Sequence, residues 1–189
     1  MLGSGLNDII PTNLFFCESS LASFIKSFCK QNNIPNPAFV TGGGDSNTID
    51  RGKTWKSISE AIKQYKKDDI LNLEIKIIID NNSQVKEKIN LFNSQYPNEL
   101  LILDADEQEK LFWEIKQEDF IKFLELEKLP LWNLEDKKQN TFDKFLKLNN
   151  KKEIKGILKC KLGEFMGNRF SPADFKQFSP KLHDCIFLR

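Results

Sequence analysis

Carboxylates placed at the ends of apolar runs are the residues of this chain whose types and spacing can do chemistry. Asn13-Leu14-Phe15-Phe16-Cys17 leads into Glu18, and Glu74-Ile75-Lys76-Ile77-Ile78-Ile79 leads into Asp80-Asn81-Asn82. Leu100-Leu101-Ile102-Leu103 leads into Asp104-Ala105-Asp106. Short runs of β-branched and aromatic residues bounded by polar ones read as buried strands. In an open parallel sheet, ligands bind beyond the carboxyl ends of the strands. Glu18, Asp80 and Asp104 brought together there would make an oxygen-rich site suited to a hard divalent cation such as magnesium. The competing reading is local: strand-terminal Asp and Asn also satisfy turns, and Asp106, ahead of a helix, fits a helix cap.

A second set of residues points to phosphate. Gly42-Gly43-Gly44 follows the strand-like Ala38-Phe39-Val40-Thr41 and can bring backbone N–H groups against an anion, with Asp45, Ser46 and Asn47 continuing the turn. Its alternative is a flexible loop that needs positive φ. Lys53 and Arg51 are expected in the same loop as the glycines, where they become candidate phosphate partners. Gly52-Lys53-Thr54 has the form of a Walker ending, but Asn47 stands where the upstream glycine is required, which excludes a P-loop. The four cysteines, Cys17, Cys29, Cys160 and Cys185, show no metal-ligand spacing, and the single histidine, His183, completes no zinc set or hydrolase triad. They read as buried free thiols of a reducing compartment.

The elements that must position these groups alternate. Leu21, Phe24, Ile25 and Phe28 recur at helical spacing behind a Ser19 or Ser20 cap, in a helix expected to end near Asn32-Asn33. Trp55, Ile58, Ile62 and Tyr65 share a helical face, and Ser83 is expected to cap a helix carrying Val85, Ile89 and Phe92. The order predicts an α/β fold with a mostly parallel central sheet, its strands near 13–17, 38–41, 75–80 and 100–103. From residue 107 onward the patterns are helical, around Leu111–Leu126, Phe142–Leu148 and Ile154–Phe165, with Gly167 as a stop. Pro130 and Trp132 interrupt the first of these, and Ser171-Pro172-Ala173-Asp174 has the form of a helix start. A core over 1–106 and a helical region over 107–189 follow.

Composition narrows the partners. Across 189 residues, 28 basic against 27 acidic side chains leave a net charge of +1, so no global field attracts nucleic acid or an anionic membrane, and phosphate binding must be local. Lys137-Lys138 and Lys151-Lys152 read as solvated faces. The N-terminal residues lack the form of a secretory signal, and no apolar run approaches a membrane span. A soluble cytoplasmic protein without a membrane partner is expected; oligomeric state is not legible.

A strand ending in Glu18, a helix, a strand ending in Gly42-Gly43-Gly44, a helix and a strand ending in Asp80-Asn81-Asn82 resembles the TOPRIM fold of topoisomerases, bacterial primases and overcoming-lysogenization-defect nucleases. The resemblance covers roughly residues 12–106. Lys155, Lys159 and Lys161 near a Gly-interrupted helix are similar to an uncharacterised bacterial family attached to that superfamily. The resemblance implies that Glu18 acts as general acid or base and helps hold metal, and that the later strand binds magnesium through an Asp-x-Asp pair. This chain departs from the pattern at Ser19-Ser20, where a Gly-containing step is usual, and at Asn82, which replaces the second aspartate and removes a charge. Magnesium needs only one or two carboxylates plus substrate phosphates, whereas two-metal chemistry clamps both attacking and leaving oxygens. Asp104 or Asp106 compensates if the fourth strand lies beside the third. The expected function is binding of a phosphate-bearing ligand, a nucleotide or nucleic acid, with weak or lost metal-dependent catalysis. The alternative is an active magnesium-dependent nuclease or phosphotransfer enzyme.

Overall fold

The computed structural model describes residues 13–65, 74–80, 83–103, 115–131, 142–148 and 150–188. Its first half runs β1 (Asn13–Cys17), α1 (Ser19–Gln31), β2 (Ala38–Thr41), α2 (Asp45–Tyr65), β3 (Glu74–Asp80), α3 (Lys86–Gln95) and β4 (Leu100–Leu103). The strands form one sheet in the order β2-β1-β3-β4, and all are parallel. Leu14 pairs with Ala38 on one side of β1 and with Ile75 on the other, so β1 is an internal strand, as is β3. Parallel strands are covered on both faces and therefore read as unbroken apolar runs. The burial of Phe15, Phe16 and Cys17, and of consecutive Ile77, Ile78 and Ile79, has that origin.

Two compact units emerge. One comprises the chain up to Glu18 with Pro37–Ile102; the other comprises Ser19–Asn36 with Leu103 onward. In the first unit Phe16, Ile75, Ile77 and Ile79 pack with Ile49 of α2 and with Val85, Ile89 and Phe92. Val85 closes a short 3-10 turn, Ser83–Val85, which precedes α3. Ser83 therefore begins that turn instead of capping the helix, and Val85 occupies the cap position without a side-chain hydrogen bond.

Helix α2 departs most from expectation. It starts at Asp45, so Arg51 and Lys53 lie on a helix and not in the glycine loop. Its buried face is Asp45, Thr48, Ile49 and Gly52, whereas Trp55 and Ile58 are each 44% exposed and Ile62 is 38% exposed. The reason is contact distance: a Cβ at Gly52 would stand 2.5 Å from Ile77 Cγ1, so only glycine lets the helix lie this close to β3. Lys88 holds the helix to α3 through Asp50 at 2.5 Å and Ser46 at 2.7 Å. Lys56 and Glu99 pair at 2.7 Å next to β4.

Among the described residues, the second unit contains α1 together with α4 (Gln117–Leu126), α5 (Phe142–Leu148), α6 (Lys155–Gly167), α7 (Pro172–Phe178) and α8 (Pro180–Phe187). Leu111 and Trp132 lie outside the described residues. Helices α1 and α6 approach closely because Gly163 and Gly167 have no side chain: a Cβ at Gly163 would stand 2.5 Å from the Ser20 carbonyl oxygen, and one at Gly167 would strike the Phe24 carbonyl. Phe24 sits edge-on to Phe170 and Phe175, and Phe28 edge-on to Phe175, which makes an aromatic core. Helix α1 ends as anticipated: Asn33 takes φ 54° and the Ile34 N–H donates to the Cys29 carbonyl at 2.9 Å, the hydrogen bond of a left-handed C-terminal cap. Ser171 and Asp174 form the reciprocal cap of α7, with Pro172 at its first turn. These hydrogen bonds to Ser171 hold the Asp174 carboxyl below its usual range. Among the described residues no helix is long and apolar enough to cross a membrane.

Candidate functional site

The carboxyl ends of β1, β2 and β3 place Glu18, Gly42–Gly44 and Asp80 along one edge of the sheet, in the order glycine loop, Glu18, Asp80. Pairing of Phe16 with Ile77, continued along both strands, sets Glu18 level with Ile79, one residue short of Asp80. Glu18 and the loop meet directly: a Cβ at Gly44 would stand 3.7 Å from Glu18 Oε1. Gly42 and Gly43 carry φ values of 128° and 77°, in the region side chains disfavour. At Gly43 the fit also excludes a side chain, since a Cβ would lie 2.6 Å from Asn47 Nδ2.

Asp45 links the loop to the third strand. Its carboxylate is buried at the first turn of α2, and Oδ1 accepts from the Asp80 backbone N–H at 3.4 Å. A carboxylate is favoured at a helix N-terminus, where unpaired N–H groups and the helix dipole present positive charge. Thr48, also buried, closes the turn by donating from both its N–H and its Oγ1 to the Gly44 carbonyl, at 3.0 and 3.2 Å. Sequence reading treated Asp45 only as turn material. The spacing of Asp45, Thr48, Ile49 and Gly52 was the available signal: small or apolar residues at helical intervals directly after a glycine run.

The two expected cations separate. Arg51 reaches back to the loop, where Nη1 donates to the Thr41 carbonyl at 3.0 Å. Lys53 begins about 12 Å along the helix axis from Asp45, on the side shared with Asp50 and Ser57, which meet Lys88 and Tyr96. Gly52-Lys53-Thr54 falls inside α2, which is no place for a phosphate-binding loop.

As for a metal, β4 does lie beside β3, the arrangement under which Asp104 or Asp106 would compensate for Asn82. Asn81, Asn82, Asp104 and Asp106 all lie outside the described residues. Among the described residues no three or more His, Cys, Asp or Glu side chains group so as to hold a metal ion. Glu18 and Asp80 alone do not make a protein cage for a cation, and the register, which sets Glu18 level with Ile79, does not itself turn their carboxylates to one face of the sheet.

Fold and site thus define a class: a parallel α/β protein with acidic strand ends beside a glycine loop. No protein-family model, curated protein or solved structure matches the chain.

Proposed function

We propose that the chain is a divergent TOPRIM-like protein that binds a phosphate-bearing ligand, a nucleotide or nucleic acid, at the carboxyl edge of its sheet, with metal-dependent catalysis weak or lost. The observation that carries the reading is the meeting of Glu18 with Gly44 and of Asp45 with Asp80. It gathers a carboxylate, a glycine loop with positive φ and a second acidic strand end at the place where open parallel sheets bind ligands. Loop amides and the α2 N-terminus supply donors for phosphate oxygens. Glu18 and Asp80 supply oxygens for a magnesium ion that the phosphate completes, with Asn82 and Asp104 as further oxygen donors in this reading. Glu18 would take the acid–base role in any residual chemistry. Asn82 offers a neutral oxygen where the resembling enzymes have a carboxylate, so less charge offsets the dehydration of magnesium in the absence of phosphate. Cys17 and Cys29, buried and outside any disulfide, support a cytoplasmic setting.

Calorimetry with manganese, with and without ATP, on wild type and Asp80→Ala tests the coupling. Manganese should bind weakly alone and more tightly with ATP, and Asp80→Ala should abolish the gain. Equal affinity in all samples would remove the metal-assisted site and leave a metal-free binding module. Turnover of ATP or of a nucleic-acid strand by wild type but not by Glu18→Gln would establish catalysis instead.

A further inference from the structure

We infer that Arg51 is the anion contact of this site, seated in the space that the glycine at position 42 leaves open. The inference rests on the phosphate-binding reading of the loop and assigns a residue to it. Arg51 Nη1 donates to the Thr41 carbonyl at 3.0 Å, which fixes the guanidinium at the mouth of the loop. The space it fills is the space a side chain at 42 would need: a Cβ there would stand 2.7 Å from Nη1, 3.5 Å from Cζ and 3.6 Å from Nη2. Thr41 uses one donor of a fork that presents several. Among the described residues Arg51 forms no ion pair.

The loop is thereby bracketed by opposite charges, the guanidinium at Gly42 and Glu18 Oε1 at Gly44. A ligand matching that polarity has anionic oxygens at one end and an associated cation at the other, which is the description of a metal-bound phosphate. Arginine meets two phosphate oxygens at once through its planar fork, whereas lysine acts as a point charge. Lys53, on the α3 side of the helix, is left without this role.

Calorimetric titration in the presence of manganese decides the assignment, using as probes ATP, an oligonucleotide bearing a terminal phosphate, and the same strand without it. Arg51→Ala should weaken whichever phosphate probe binds by about tenfold or more, the loss expected for a charged hydrogen-bonding partner, while Lys53→Ala leaves it unchanged. Arg51→Lys should recover only part of the affinity. Gly42→Ala should lose at least as much as Arg51→Ala, because it displaces the guanidinium and also strains the loop amides at φ 128°. If the strained Gly42→Ala fails to fold by circular dichroism, the Arg51→Ala and Arg51→Lys pair carries the test alone, since Arg51 is exposed. Wild type that binds a phosphate probe with Arg51→Ala unaffected, or affected only in Lys53→Ala, overturns the assignment and spares the site. Wild type that binds none of the probes overturns the site and the assignment together. Binding of ATP identifies a nucleotide source; binding of the strand only when phosphorylated identifies a nucleic-acid end.

Discussion

At the scale of single residues, the site is held by groups whose effects differ in sign. Asp45 accepts from the Asp80 N–H, so Asp45→Ala should remove that hydrogen bond and cost about 1–2 kcal/mol of stability. Asp45→Asn keeps an acceptor and should cost less; urea unfolding of the two variants makes the comparison, and an equal loss would argue that the charge matters more than the hydrogen bond. Cys29 behaves oppositely to a reactive thiol. Burial pushes it up to about 11 from its ordinary 9.0, so the neutral form persists in the folded protein while the unfolded chain ionises near 9.0. The folded pKa is the higher one; its contribution to stability is therefore full below the unfolded value and lost as pH rises through the interval to about 11. Denaturation midpoints of wild type should fall over that interval more steeply than those of Cys29→Ala, and native Cys29 should resist alkylation at neutral pH. Parallel slopes for the two proteins would contradict the assignment.

At the scale of elements, what could be read from the sequence depended on how local the signal was. The strands β1, β2 and β4 carry their bounds in unbroken apolar runs, and the cap at Ser171 and Asp174 is written in adjacent residues, so both were legible. The start of α2 was not, because Asp45, Ser46 and Asn47 have turn chemistry and only contact with β3 makes Gly52 a helix residue. The exposed Trp55, Ile58 and Ile62 show the same limit: helical spacing identifies a face, while the neighbours decide whether it is buried. Nor could sequence order show that α1 packs on α6, since that contact runs through the absence of side chains at Gly163 and Gly167. Gly163→Ala forces a methyl to within 2.5 Å of the Ser20 carbonyl, a backbone atom that cannot step aside. It should cost about 1–3 kcal/mol by overpacking, although alanine is the better helix former by about 1 kcal/mol. Thermal melts of Gly163→Ala beside Gly156→Ala separate the two effects. Gly156 has nothing within 4 Å, so its variant should match or exceed wild type, and a stabilised Gly163→Ala would refute the close approach.

At the scale of the whole molecule, the interleaving of the two units matters more than the order of elements along the chain. Helix α1 follows β1 in sequence and yet belongs with the helices after Leu103. A cut at residue 106, where the patterning turns from alternating to helical, separates α1 from α6 while keeping every strand of the sheet. Leu21, Phe24, Ile25 and Phe28, all buried in the intact protein, would then lose the faces of α6 and α7 that cover part of them. Full burial of such side chains is worth about 1.5–3 kcal/mol each, a sum comparable with the whole stability of an ordinary domain. The fragment 1–106 should therefore bind a hydrophobic dye and melt without a cooperative transition, even though it contains the complete candidate site. Addition of the separate 107–189 fragment should restore cooperativity if α6 and α7 supply the missing partner. A fragment 1–106 that melts cooperatively near the midpoint of the full chain would show that α1 does not depend on α6 and α7 for its burial.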